Sequence, residues 1–309
     1  RKGRRLLMRD AGPGPETPRA AADVPDPGPD MRPGPGSDPC PDGHDGSPDS
    51  GPGATEAEAY RRMFDAHDRG RARRAAWAGR IADLVTGHVR PSRVVDLGCG
   101  LGFFLAAMGA RGATCLRGVD ADWIEGLALE VPRDVCVLHD LAEPYAEAER
   151  YDLAACLEVA EHLPPERGPG LVADLARLSD RVLFSAAVPG QGGRGHVNCR
   201  WQSYWAGLFA EAGYRVFDPY RRALAAEDGM APWFQQNLLL FWHKGLDFPP
   251  ALAPFEIAPR AADMILPHYH ARVVANRERA FHAAREQLRA AGLTYRSPGP
   301  HGAAGRTEG

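Results

Sequence analysis

The run Val94-Val-Asp-Leu-Gly-Cys-Gly-Leu-Gly-Phe-Phe-Leu105 constrains this chain more than any other segment. Branched apolar residues lead to an acid, Asp96, and glycines then take alternate positions at 98, 100 and 102. A strand ends there, the chain turns sharply, and a helix begins. Without side chains, the turn lets a ligand touch the backbone itself. Eighteen residues after Gly102, a second apolar run closes on Gly118-Val-Asp120. A carboxylate at that point can accept hydrogen bonds from a ribose diol.

Further apolar runs alternate with helical spacing. The pattern predicts strands over 93–97, 114–120, 135–139, 152–158, 181–187, 214–220 and 237–242. Helices are expected to open at 103 and to span about 123–129, 171–178 and 201–212. Upstream, Ala59, Met63, Phe64, Ala75, Trp77, Ile81 and Leu84 recur at three- and four-residue spacings, with Gly70 expected to split the stretch into two helices. This order predicts an α/β fold: a doubly wound, mostly parallel seven-stranded sheet, with helices on both faces and an antiparallel edge strand. Such sheets bind ligands beyond the C-terminal ends of their strands.

The 309 residues divide unevenly. Residues 1–53 are about 40% Pro plus Gly and hold no Phe, Trp or Tyr, a composition typical of disorder. Residues 54–244 carry the predicted fold with its N-terminal helices. Residues 245–309 read as a Pro-rich extension with one helix, over about 269–291, and a disordered end. The first eight residues are basic but lack the apolar core of a secretory signal, and Met8 and Met31 are candidate starts. No apolar run is long enough for a membrane span. Six cysteines without a C-x-x-C pair fit a reducing cytoplasm. A net charge of −3 disfavours a nucleic-acid partner. Nothing in the sequence reads out an oligomeric state.

Two cofactor classes compete for the glycine turn, beside a turn that binds nothing. A dinucleotide fingerprint needs G-x-G-x-x-G, but counting from Gly98 the last position is Phe103, and counting from Gly100 it is Leu105. The D-x-G-x-G-x-G form instead resembles motif I of class I S-adenosylmethionine-dependent methyltransferases. That resemblance spans about 93–244. It implies S-adenosylmethionine as cofactor, with Asp96, Gly98, Cys99 and Gly100 forming its cradle. Asp120 matches the ribose acid, with Ala121 beside it. Asp140 and Leu141 match the adenine position, and Leu157 and Glu158 flank the methionine moiety. Taken alone, Asp140 could instead be a helix N-cap or turn residue, a reading that its position after the third apolar run disfavours.

The sulfonium methyl is already activated, so orienting a small-molecule acceptor, with oxygen as the expected accepting atom, supplies much of the rate. No obligatory nucleophile is expected, and Cys99 reads as a small residue the turn permits. His196, in the Gly-rich segment 190–198, is the candidate general base; it could instead brace that loop together with Asn198. Glu158, Glu161, His162 and His196 also resemble the E-x-x-E-H…H set that holds a divalent metal in small-RNA 2′-O-methyltransferases. The adopted expectation is a site without metal. The metal-dependent RNA enzyme and a non-catalytic S-adenosylmethionine-binding scaffold stand as alternatives. Arg61, Arg62, Arg69, Arg71, Arg73, Arg74 and Arg80 read as a solvated helix face. Tyr60 and Phe64 are candidate lid residues, and Trp201, Tyr204 and Trp205 read as core or pocket wall.

Overall fold

A computed structural model describes residues 68–291 and 293. The expected disordered tail at 1–53, the lid candidates Tyr60 and Phe64, and the last dozen residues lie outside the described residues. The described residues open with helix α1 (Asp68–Thr86), which runs through Gly70 instead of breaking there. Strand β1 (Arg93–Leu97), helix α2 (Phe103–Gly109), β2 (Cys115–Asp120), β3 (Cys136–Leu138) and β4 (Leu153–Leu157) follow. Next come α3 (Gly168–Leu178), β5 (Arg181–Ser185), α4 (Gln202–Glu211) and β6 (Tyr214–Phe217). The chain continues with α5 (Arg221–Ala225), α6 (Pro232–Asn237), β7 (Leu239–His243), β8 (Glu256–Ile257) and α7 (Pro267–Ala290).

The strands form one sheet in the order β3-β2-β1-β4-β5-β7-β6-β8. From β3 to β5 the pairing is parallel; β7 runs antiparallel between β5 and β6. Alternation inside the strands explains why both faces are covered. Val94, Leu153, Ala155, Leu183 and Leu240 point to one apolar layer, with α1 and α2. Their neighbours Val95, Ala154, Cys156, Val182 and Phe241 point to the other, with α3 and α4. Helix α3 buries Leu171, Val172, Leu175 and Leu178, a stripe at helical spacing. Trp205 and Phe209 of α4 lie in the same layer, and Phe209 stacks on Phe241 with ring centroids 4.0 Å apart. Trp205 is therefore core, whereas Trp201 stays exposed at the N-cap of α4.

Two expectations are corrected. Among the described residues the sheet has eight strands, not seven, because the two-residue β8 from the Pro-rich extension pairs with β6. Its shortness left no period-2 signal. Nor is there a helix over 123–129: a single 3-10 turn, Asp122–Ile124, ends at the extended Glu125 and at Gly126 with φ +78°. Among the described residues no helix is long and apolar enough to cross a membrane.

The strand order reverses between β1 and β4, since the chain adds β2 and β3 on one side and β4 on the other. The crevice at that switch point lies beyond Leu97 and Leu157.

Candidate functional site

The glycine turn is sewn to the end of β2. The N–H groups of Gly98 and Cys99 both donate to the Val119 carbonyl, at 2.7 and 3.2 Å. Gly98 has φ +80°, and a Cβ there would sit 2.2 Å from Val159 Cγ2. Glycine is therefore required twice over, by handedness and by space. Gly100 differs: its φ is +54°, but a Cβ would meet nothing within 4 Å. Its outer face is open.

Asp120 ends β2 at 7% exposure, and its carboxylate is fully engaged. Oδ2 accepts the Gly100 N–H at 2.7 Å, while Oδ1 accepts the Ala121 N–H at 2.8 Å and the Trp123 indole N–H at 2.7 Å. Burial raises the pKa of Asp120, and these three donors oppose the rise. Asp96 lies deeper, at 3% exposure, and its Oδ1 has no hydrogen-bond partner among the described residues. Burial first, then the Asp120 carboxylate and the Cys136 thiol, push its pKa up to about 7.

Asp140 follows β3 and is exposed; its Oδ1 accepts the Ala142 N–H at 2.9 Å, an Asx turn. Leu141 is buried, and its carbonyl accepts Arg167 Nε at 3.0 Å. Leu157 closes β4 half-buried. Glu158 follows with φ +56°, the one non-glycine residue among those described with a positive φ. Such a conformation persists where the surroundings hold it. Here its N–H donates to Ser185 O at 2.9 Å, and its two carboxylate oxygens accept Gln191 Nε2 at 2.9 Å and Asn237 Nδ2 at 3.1 Å. Burial raises its pKa against those amide donors.

Beyond Glu158 the chain makes a 3-10 turn, Ala160–His162. Glu161 is fully buried, and among the described residues neither of its carboxylate oxygens makes a hydrogen bond of good geometry, although the N–H groups of Glu161 and Ala187 and the Glu158 carboxyl are close enough to act on it. Burial, then repulsion from Glu158, raise its pKa well above the carboxylate range. Its carbonyl accepts the N–H groups of Val197 and Asn198, at 2.8 and 3.0 Å, which draws the Gly-rich segment over it. His196 thereby meets His162 edge to face, with ring centroids 4.8 Å apart. One ligand atom each from Glu161, His162 and His196 lies within 4.8 Å of the others. Burial lowers the pKa of His162. Burial and the facing His162 take His196 down to about 4.

The structure thus groups Asp96, Gly98, Cys99, Gly100, Asp120 and Ala121 at one side of the crevice, and Glu158, Glu161, His162 and His196 as a second group after β4. Sequence reading missed Trp123, Gln191, Asn237 and Val159. Polar residues that serve a carboxylate carry no spacing signal. The run Gln235-Gln-Asn237 before an apolar strand was the one visible hint, since each of these amides is buried. Of the arginines, Arg71 pairs with Glu130 at 2.5 Å and Arg80 with Glu227 at 2.5 Å, both pairs partly exposed.

Residues 69–219 match the family model described as "Methyltransferase domain". The Ubiquinone biosynthesis O-methyltransferase of Neisseria meningitidis serogroup C is 33% identical over 117 residues, covering 33% of this chain and 48% of that protein. The protein of the same name in Pseudomonas savastanoi pv. phaseolicola is 38% identical over 86 residues, 23% of this chain and 34% of that one. The chain therefore spans about half, or less, of the length of these curated relatives. Among solved structures, magnesium protoporphyrin IX methyltransferase from Synechocystis PCC 6803 with bound SAH is similar at a TM-score of 0.39 and 18% identity, over 64% of this chain and 90% of that one.

Proposed function

We propose, on the match of residues 69–219 to a methyltransferase domain and on the glycine turn described above, that the chain moves the methyl group of S-adenosylmethionine onto an oxygen of a small-molecule acceptor. The observation that carries the reading is the Asp120–Gly100 contact, which holds the glycine turn with an open face at Gly100. In this reading the Gly98–Gly100 backbone cradles the cofactor, and the Asp120 carboxylate takes the ribose hydroxyls, exchanging the Trp123 indole for them. Asp140 and Leu141 border the adenine. Asp96 offers its free Oδ1 toward the methionyl ammonium, and Leu157 and Glu158 wall the methionyl arm.

Transfer needs an acceptor oxygen in line with the S–CH3 axis. When bound, S-adenosylmethionine would supply the activated methyl, with the S–C bonding pair leaving on sulfur as a neutral thioether as the acceptor oxygen took the carbon. The acceptor's proton passes to His196, whose Nδ1 faces Cys199 Sγ at 3.7 Å and leaves Nε2 as the receiving atom. An imidazole with a pKa of about 4 is neutral at pH 7 but weakly basic. It suits a phenol-like hydroxyl better than an aliphatic alcohol, because the two acidities are closer.

One observation favours a second reading. Glu161 has a fully buried carboxylate without good hydrogen bonds, beside two imidazoles of lowered pKa, and this donor set fits a divalent transition metal. Glu161, His162 and His196 would hold it, while Glu158 stays with Gln191 and Asn237. When bound, the ion would supply positive charge that acidifies an acceptor hydroxyl, including a ribose 2′-hydroxyl. The chain's own residues would still orient the cofactor and shield the crevice.

The test is direct. Titrate purified protein with S-adenosylmethionine and S-adenosylhomocysteine by calorimetry, then assay a panel of phenols, catechols, alcohols and amines for methylated product by mass. Binding of both nucleosides with turnover of phenolic acceptors supports the reading. Binding without turnover of any acceptor reduces the chain to a scaffold, and no binding removes the premise of the activity.

A further inference from the structure

Two cysteine sulfurs converge beneath the glycine turn. Cys99 stands between Gly98 and Gly100 after β1, and Cys136 opens β3. Strand β2 runs between them. Its Gly118 is the register partner of Cys136, and its Val119 carbonyl accepts the Cys99 N–H. Because position 118 has no side chain, both sulfurs enter the space it leaves: a Cβ there would lie 2.7 Å from Cys99 Sγ and 3.0 Å from Cys136 Sγ. Both are free thiols that share this one space, and each acts on the other's titration.

The two are not equivalent. Cys99 is buried, whereas Cys136 is only half-buried. Contact with Cys99, together with the guanidiniums of Arg133 and Arg117, draws the Cys136 thiol down to about 7 against the cost of its burial. The Cys99 thiol is pushed well up by the same contact and by burial. Cys136 is thus the sulfur that meets an oxidant first, and Cys99 is the sulfur that lies beside it.

We propose that Cys99 and Cys136 form an oxidisable dithiol, a modification site that a hydroperoxide closes to a disulfide under the cofactor turn. The Cys136 thiolate attacks one peroxide oxygen and the O–O bond breaks, leaving Cys136 sulfenic acid and a hydroxide (or alkoxide) that takes a proton from solvent to become a first water (or alcohol). The Cys99 thiol then attacks that sulfur; the S–S bond forms, the S–O bond breaks, and a second water leaves. The sulfurs lose two electrons, which the peroxide gains. The link ties the Cys99–Gly100 backbone to β3, so the N–H that Asp120 holds can no longer adjust around a ligand.

The experiment uses the full chain treated with hydrogen peroxide, alkylated, and mapped by peptide mass with and without dithiothreitol. The expected result is one peptide pair joined through Cys99 and Cys136 and released by dithiothreitol. S-Adenosylmethionine affinity should fall about tenfold or more on oxidation and recover on reduction. Cys136→Ser should abolish both the link and the peroxide effect while leaving the untreated affinity at the parent value, and Cys99→Ser should abolish the link independently. Over-oxidation of Cys136 without a link, a link to another cysteine, or a link with unchanged affinity would each overturn the proposal. The affinity arm rests on the cofactor reading above, but the linkage arm does not. A chain that forms the link yet never binds the nucleoside refutes that reading and the proposed consequence, and leaves the dithiol established.

Discussion

The Asp120 carboxylate accepts the Gly100 N–H at 2.7 Å, joining the last residue of β2 to the middle of the turn after β1. One buried acid thereby fixes the position of a backbone segment that, through its open face, is free to meet a ligand.

Replacing that acid should remove both the anchor and the ribose acceptor. Asp120→Ala is expected to weaken S-adenosylmethionine binding by about 1.5–3 kcal/mol, the range for a hydrogen bond to a charged group. Calorimetry reads this directly. Unchanged affinity would take Asp120 out of the ribose role and leave it as a turn anchor alone.

Gly98→Ala should destabilise the fold itself. Left-handed φ costs a residue with a Cβ about 1–2 kcal/mol, and the new methyl would stand 2.2 Å from Val159 Cγ2. A total loss of at least about 2 kcal/mol is expected in urea unfolding. Adding Val159→Ala should recover the steric part and leave the backbone part. If the double variant is no more stable than Gly98→Ala, the clash is not what excludes a side chain.

His196 gives a pH signature in chelator-treated protein. The unfolded chain takes up a proton on this imidazole near pH 6.5, the native protein near pH 4. Between those values the unfolded state holds more protons, so stability falls as the pH falls, by up to about 3 kcal/mol. His196→Asn should flatten this part of the profile, seen as a smaller difference in urea midpoint between pH 7 and pH 5. The same variant should lose turnover at nearly unchanged cofactor affinity. Turnover at the parent level would reduce His196 to a brace for its loop.

The metal reading has its own outcome. If Glu161, His162 and His196 hold a divalent ion, manganese or zinc should raise the melting temperature of the parent protein, and Glu161→Gln should abolish the rise. A chelator should then also stop turnover, with recovery on adding the ion back. A melting temperature indifferent to every divalent ion tried would leave the three residues as a buried polar cluster.

Much of this architecture was legible along the chain. Apolar residues on both sides of β1, β4 and β5 specify strands covered on two faces, and the glycines at 98, 100 and 102 specify a turn with special backbone angles. The stretch over 123–129 misled because Trp123, Ile124 and Leu127 imitate helical spacing. One left-handed glycine at 126 and an extended Glu125 decide otherwise.

By itself, then, the sequence determined the doubly covered sheet, the glycine turn, and the acids Asp96 and Asp120 at its strand ends, because each is written in local periodicity or backbone chemistry. Only the tertiary structure decided who meets whom. Asn237 reaches Glu158 across 79 residues of chain, Val159 fills the space that Gly98 leaves, and His196 is folded back against His162. Periodicity encodes which side chains leave water, not which distant groups share the same few ångströms once they have left it. That choice depends on packing both layers at once, with β7 slotted between β5 and β6.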